Sequence, residues 1–266
     1  MTLFVALRRL LVGGMAGAFL VAAGMPAAAA DPQATIARVK NSIVAIGTYE
    51  RTRTPPFQFL GTGFAVGDGT LIVTNAHVLP PVLDPGKSES VAILSSAPPK
   101  DGRTQAQMRE ARRVAVDPGA DLAVLKVDGP PLPPLKIRDS DTVREGQEVF
   151  MTGYPVGAVL GPFAATHRGM VAAITPIAIP QARAADLDPA TLRRLSSGTF
   201  PVFQLDATAY PGNSGSPIYD PETGDVLGIV NMVLVKGTKE AALSQPTGIT
   251  YAIPARHLQD LLDQKR

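Results

Sequence analysis

Cysteine is absent from the 266 residues, which excludes disulfides and thiolate metal sites. Only three histidines occur, His77, His167 and His257. They are too scattered to form a ligand cluster, so neither a metal nor a cofactor is expected. A surplus of charge is missing as well: 25 Lys and Arg face 23 Asp and Glu. Arg8 and Arg9 lie in the first thirty residues and no acid does, so the remainder has a formal charge of zero. That excludes a cationic field for nucleic acid or an anionic membrane. What is abundant is glycine and proline, 25 of each, beside 45% apolar residues. This composition supports a real core built from many short strands and turns.

Residues 1–30 read as an export signal. Arg8 and Arg9 supply the positive region, Leu10 to Met25 an apolar stretch, and Ala28-Ala29-Ala30 a small-residue cleavage site. Cleavage after Ala30 and export to a periplasm or the medium are expected. Membrane attachment follows only if this segment stays uncleaved.

The chain is organised around Asp206 to Pro217, whose centre is Gly212-Asn213-Ser214-Gly215. A serine between glycines has an exposed hydroxyl and a backbone that approaches a substrate closely. Serine becomes a nucleophile only beside a base held by a third group. His77 ends the apolar run Ile72-Val73-Thr74-Asn75-Ala76, and Asp121 stands where a turn enters Leu122-Ala123-Val124-Leu125. The order His, Asp, Ser belongs to double-barrel proteases; α/β-hydrolases use Ser, Asp, His with a strand–turn–helix. Here Pro217 and the strand-like Ile218-Tyr219 follow the serine, which disfavours an esterase of that kind. Asp117 competes with Asp121 but precedes Pro118 and suits turn initiation better.

Taken in order, Pro32 to Lys40 reads as a helix and Ser42 to Tyr49 as a strand. Phe59 to Val66 and Thr70 to Thr74 form a hairpin across Gly67-Asp68-Gly69. Strands follow at Ser90–Leu94, Arg112–Val116 and Leu122–Val127, with Pro98 to Glu110 expected as an exposed polar stretch. After a proline-rich connector come strands at Gln147–Thr152, Phe163–Ile174 (broken at Gly169), Phe200–Leu205, Ile218–Tyr219, Val226–Leu234 and Ile249–Ile253. Pro180 to Thr199 reads as an insertion and Lys236 to Gln245 as polar. Pro254 is expected to open a helix with Leu258, Leu261 and Leu262 on one face. The fold expected is all-β: a trypsin-like double β-barrel with short terminal helices. Residues 31–140 and 141–266 are its two halves.

These segments together resemble the HtrA/Deg branch of trypsin-like serine proteases. Gly61-Thr62-Gly63-Phe64 with Ile72 to Val78 is similar to its histidine region, and Asp121 to Val127 to its aspartate strand. Asp139-Ser140-Asp141 with Gly153-Tyr154-Pro155-Val156-Gly157 resembles the opening of its second barrel. Pro211 to Gly215 is similar to its nucleophile loop, and Tyr251-Ala252-Ile253-Pro254 to its last strand-to-helix junction. No PDZ-like stretch follows, Ser216 stands where the family has glycine, and Pro180–Thr199 falls in a region of activation loops.

The resemblance implies a serine endopeptidase with Ser214 as nucleophile, His77 as base and Asp121 orienting it. It also implies an oxyanion hole at Gly212-Asn213-Ser214, lined by the Gly212 and Ser214 N–H groups. Thr208 falls at the pocket floor. Asn231, Met232, Val233 and Ile249 fall along its walls and the substrate strand. A neutral floor disfavours Lys and Arg, and branched walls favour small aliphatic residues. Partners implied are unfolded or extended polypeptides, with a homotrimer by family analogy. The rival is a catalytically silent double barrel that binds peptides by strand addition.

Overall fold

The computed structural model describes residues 31–83, 86, 88–96, 106–157, 163–176, 200–231 and 248–264. The expected export signal over residues 1–30, the Pro180–Thr199 stretch read as an insertion, the Lys236–Gln245 stretch, Met232 and Val233 lie outside these residues.

Helix α1 (Pro32–Lys40) starts where Asp31 accepts from the N–H groups of Gln33 and Ala34, capping two orphan donors. Six strands follow: β1 (Ile43–Tyr49), β2 (Phe57–Val66), β3 (Leu71–Asn75), β4 (Ser90–Ser96), β5 (Ala106–Asp117) and β6 (Leu122–Val127). They close into one antiparallel barrel in the order β1-β2-β3-β6-β5-β4. Strands β7 (Glu148–Gly153), β8 (Ala165–Pro176), β9 (Pro201–Asp206), β10 (Pro217–Tyr219), β11 (Val226–Val230) and β12 (Ile249–Pro254) close the second, in the order β10-β11-β12-β9-β8-β7. Helix α2 (Arg256–Asp263) ends the described chain. This is the chymotrypsin-like double barrel.

The two-residue side-chain period explains how the barrels meet. On β1, Val44 and Ile46 fill the first barrel, while Ile43 and Ala45 face a cluster shared by both barrels. On β6, Ala123 and Leu125 point in, and Leu122 and Val124 join the shared cluster. The second barrel mirrors this, with Met151, Ile218 and Leu227 inside and Phe150, Tyr219 and Val226 at the seam. Strands buried on both faces must be apolar at successive positions, which is why Leu122-Ala123-Val124-Leu125 and Val226 to Val230 do not alternate. Removing any of these medium-sized side chains costs about 2–5 kcal/mol. Leu258 and Leu261 of α2 are buried in the seam cluster with Leu262 packed beside them.

Three expectations need correction. Strand β8 runs unbroken through Gly169, which pairs with Val149. A Cβ there would lie 2.7 Å from the Ala207 Cβ, so this glycine permits close approach and does not break the strand. Strand β5 begins at Ala106, because pairing with β4 gives its exposed polar residues backbone partners. Helix α2 starts at Arg256, since Pro254 still pairs with Gly228 as the last residue of β12.

Candidate active site

The site lies in the seam between the barrels. Strand β3 ends at Asn75, and the single 3₁₀ turn Ala76–Val78 presents His77. Asp121 occupies the turn from β5 to β6 with a left-handed φ of 55°. That conformation is uncommon outside glycine and cheapest for Asp and Asn. Here it is held by the Asp121 carbonyl, which accepts from Ala76 N–H at 3.0 Å and from Asn75 Nδ2 at 3.1 Å. Asp117, the sequence competitor, spends its carboxylate on the N–H groups of Gly119 and Ala120 within its own turn.

The Asp121 carboxylate is buried and fully engaged. Oδ1 accepts from the His77 backbone N–H at 2.9 Å, and Oδ2 stands 2.6 Å from His77 Nδ1. Asn231 Nδ2, from the end of β11, donates to the same Oδ2 at 2.7 Å. A neutral imidazole in this setting carries its proton on Nδ1, leaving Nε2 as the acceptor. His77 Nε2 lies 3.0 Å from Ser214 Oγ.

The loop carrying Ser214 depends on two glycines. Gly212 has φ 101°, and a Cβ there would sit 2.4 Å from the Tyr154 carbonyl. Gly215 has φ 85°, and its Cβ would sit 2.1 Å from the Thr62 carbonyl. No L side chain fits either place. Thr62 of β2 clamps the loop: its N–H donates to the Ser214 carbonyl at 2.9 Å and its hydroxyl to the Gly212 carbonyl at 2.7 Å. The same hydroxyl accepts from Tyr154 N–H at 3.0 Å. Thr62 lies in Gly61-Thr62-Gly63 and Tyr154 in Gly153-Tyr154-Pro155, but no local pattern signals a clamp formed across 150 residues of sequence.

Among the described residues, the N–H groups of Gly212 and Ser214 have no acceptor. The N–H of Asn213 donates to the Tyr210 carbonyl at 2.9 Å, so Asn213 contributes a loop link and not an oxyanion donor. Its buried side-chain oxygen and nitrogen, and the buried Ser216 hydroxyl, have no partner among the described residues. Thr208 is half-buried in the segment after β9. Ile249, the first residue of β12, is exposed and pairs with Asp206 of β9, whereas Thr250 turns inward and donates to the Ala207 carbonyl. Asn231, expected along the substrate strand, points its side chain at Asp121. His167 lies on β8 and His257 on α2, both apart from this cluster.

The family model for the trypsin-like peptidase domain matches residues 61–229, which include His77, Asp121 and Ser214. The chain belongs to the trypsin-like peptidase family. Its protease domain is of the HtrA/DegP type. A Halomonas elongata protein named "Probable periplasmic serine endoprotease DegP-like" is 30% identical over 208 residues, 78% of this chain and 35% of that protein. A Pseudomonas putida protein of the same name is 29% identical over the same shares. The chain thus spans about a third of the length of these relatives. Among solved structures, the serine endoprotease from Yersinia pestis is similar with TM-score 0.60 and 22% identity, over 88% of this chain and 66% of that one. The HtrA-type protease AlgW with tripeptide is similar with TM-score 0.58 and 22% identity, over 88% and 62%. At that identity the structures speak for the fold.

Proposed function

We propose that this trypsin-like domain is a serine endopeptidase acting through Ser214, His77 and Asp121. The observation that supports it is the continuous hydrogen-bonded line from Asp121 Oδ2 to His77 Nδ1 and from His77 Nε2 to Ser214 Oγ. Ser214 Oγ attacks the peptide carbonyl as its proton moves to His77 Nε2. The imidazolium, stabilised by Asp121, then protonates the leaving amine. Water, activated by the same nitrogen, releases the acyl group. The N–H groups of Gly212 and Ser214 receive the oxyanion, and losing one such donor costs about 3–4 kcal/mol of barrier.

The substrate is an extended or unfolded polypeptide that adds as a strand beside Asn231 to Val233. Thr208 at the pocket floor, with Val233 and Ile249 as branched walls, favours a small aliphatic residue before the scissile bond. Residues 1–30 direct export and are removed after Ala30, which places the enzyme in a periplasm or outside the cell. Residues 31–140 and 141–266 form the two halves of the protease.

The deciding experiment treats the mature protein with a fluorophosphonate and with casein, native and unfolded. Labelling and faster loss of unfolded casein, both abolished in Ser214→Ala, are expected. A folded protein that takes no label and cleaves nothing refutes the assignment in favour of a silent peptide binder. Dominant cleavage after Arg, Lys or Phe in a peptide library refutes the pocket assignment alone.

A further inference from the structure

A cleft of about 660 Å³ opens beside the nucleophile loop, between the β1–β2 loop and the end of β7. Its walls are mainly apolar: Pro55, Phe57, Phe59, Leu94 and Tyr154. Among the described residues that line it, Arg53 is the one ionised group, and its guanidinium is engaged through both terminal nitrogens. It bonds Glu89 Oε1 at 3.1 Å, the Thr48 carbonyl at 2.6 Å and the Pro56 carbonyl at 3.1 Å. The cleft therefore offers contact area and no uncompensated charge.

Its position relative to Ser214 is set by one ring. Phe59 stands between two glycines: a Cβ at Gly212 would come within 2.9 Å of it, and one at Gly157 within 3.0 Å. Tyr154 meets the same ring edge-on at 6.4 Å between centroids. Phe59 thus forms a fixed partition, with the nucleophile loop on one side and the cleft on the other. Phe57 is fixed as well, because its ring lies across Gly47, where a Cβ would approach it to 2.5 Å.

The direction of a bound chain follows from β2. Thr62 joins this strand to the carbonyls of Gly212 and Ser214, and the strand then leads away from the loop back to Phe57. The acyl half of a substrate is assigned to the Asn231 side of Ser214, so the leaving half runs on the β2 side. An extended chain advances about 3.3–3.6 Å per residue, so two residues cross the width of the Phe59 partition.

We propose that this cleft receives the side chain of the second residue after the scissile bond and selects a large apolar one, such as Leu, Phe or Met. The inference rests on the endopeptidase reading and adds a specificity element on the leaving-group side. Phe57, Phe59 and Leu94 are its determinants.

The test uses the mature protein and internally quenched peptides of one sequence that differ only at that second position: Leu, Phe, Gly, Asp or Lys. The expected result is a kcat/KM for Leu and Phe roughly tenfold or more above Gly. Phe57→Ala should bring the Leu-to-Gly ratio down toward unity, and a ratio cancels any loss of folded enzyme. Gln58 is exposed at the rim of the cleft, where its Oε1 accepts from Arg53 Nη1 at 3.2 Å, so Gln58→Lys gives up that surface bond, adds a positive charge there and keeps the core intact. It should raise the Asp peptide relative to Leu several-fold. Indifference to the varied residue, or a preference for Asp or Lys in the unaltered protein, overturns the proposal. If fluorophosphonate still labels Ser214 in that case, the endopeptidase reading survives. If no label is taken, both readings fall together.

Discussion

Asn231 and Asp121 belong to different barrels, yet the Asn231 amide nitrogen donates to Asp121 Oδ2 over 2.7 Å. The same oxygen stands 2.6 Å from His77 Nδ1. Both residues are buried, so this contact ties the second barrel to the carboxylate that orients the imidazole. A hydrogen bond to a charged group is worth about 1.5–3 kcal/mol. Asn231→Ala is therefore expected to lower kcat by roughly tenfold or more. Steady-state kinetics on one chromogenic peptide, beside a thermal melt, check this. Unchanged kcat in a folded alanine variant would make the contact merely structural.

Gly212→Ala should abolish activity while the barrels stay folded. The new methyl meets the Tyr154 carbonyl at 2.4 Å in a left-handed backbone, so the peptide plane at 212 has to turn. A lost oxyanion donor lowers kcat by about 10²–10³-fold. Single-turnover kinetics beside a thermal melt separate this from unfolding.

Gly153 and Ser216 form a coupled pair. A Cβ at Gly153 would lie 1.9 Å from Ser216 Oγ and 3.0 Å from Asn213 Oδ1 and Thr62 Oγ1. Overpacking of this kind costs about 1–3 kcal/mol. Gly153→Ala should destabilise by that amount, and Ser216→Gly in the same chain should restore much of it. Ser216→Gly alone is expected to be neutral or stabilising, because the buried hydroxyl has no partner among the described residues. Urea titrations of the four proteins give the coupling directly; additive effects would refute it.

Acid should weaken the fold through His167. Burial pushes its pKa below the ordinary 6.5, and its ring lies 6.1 Å from that of Tyr210. The unfolded chain then takes up the proton first as pH falls. The stability is full above 6.5 and is lost as pH falls through the lower native value. His257, also lowered, chiefly by burial and then by Arg256, adds in the same direction. His167→Phe should flatten part of the decline below pH 6.5, read from denaturation midpoints. An unchanged slope would acquit His167.

The amino-acid sequence by itself determined the strand-and-turn architecture and singled out the three residues that the fold joins in one hydrogen-bonded line. Apolar runs bounded by glycine and proline are local signals, and Ser214, His77 and Asp121 each sit in a short distinctive context. Local pattern also separated Asp121 from Asp117, because proline after Asp117 suits a turn. The tertiary structure alone decided what lies behind those residues. The Thr62 clamp, the Asn231 amide on Asp121, the Phe59 partition and the Gly153–Ser216 contact join residues far apart in sequence. The reach of β8 through Gly169 was hidden for the same reason. A glycine reads alike whether it breaks a strand or makes room for Ala207, and only the packed neighbour distinguishes the two.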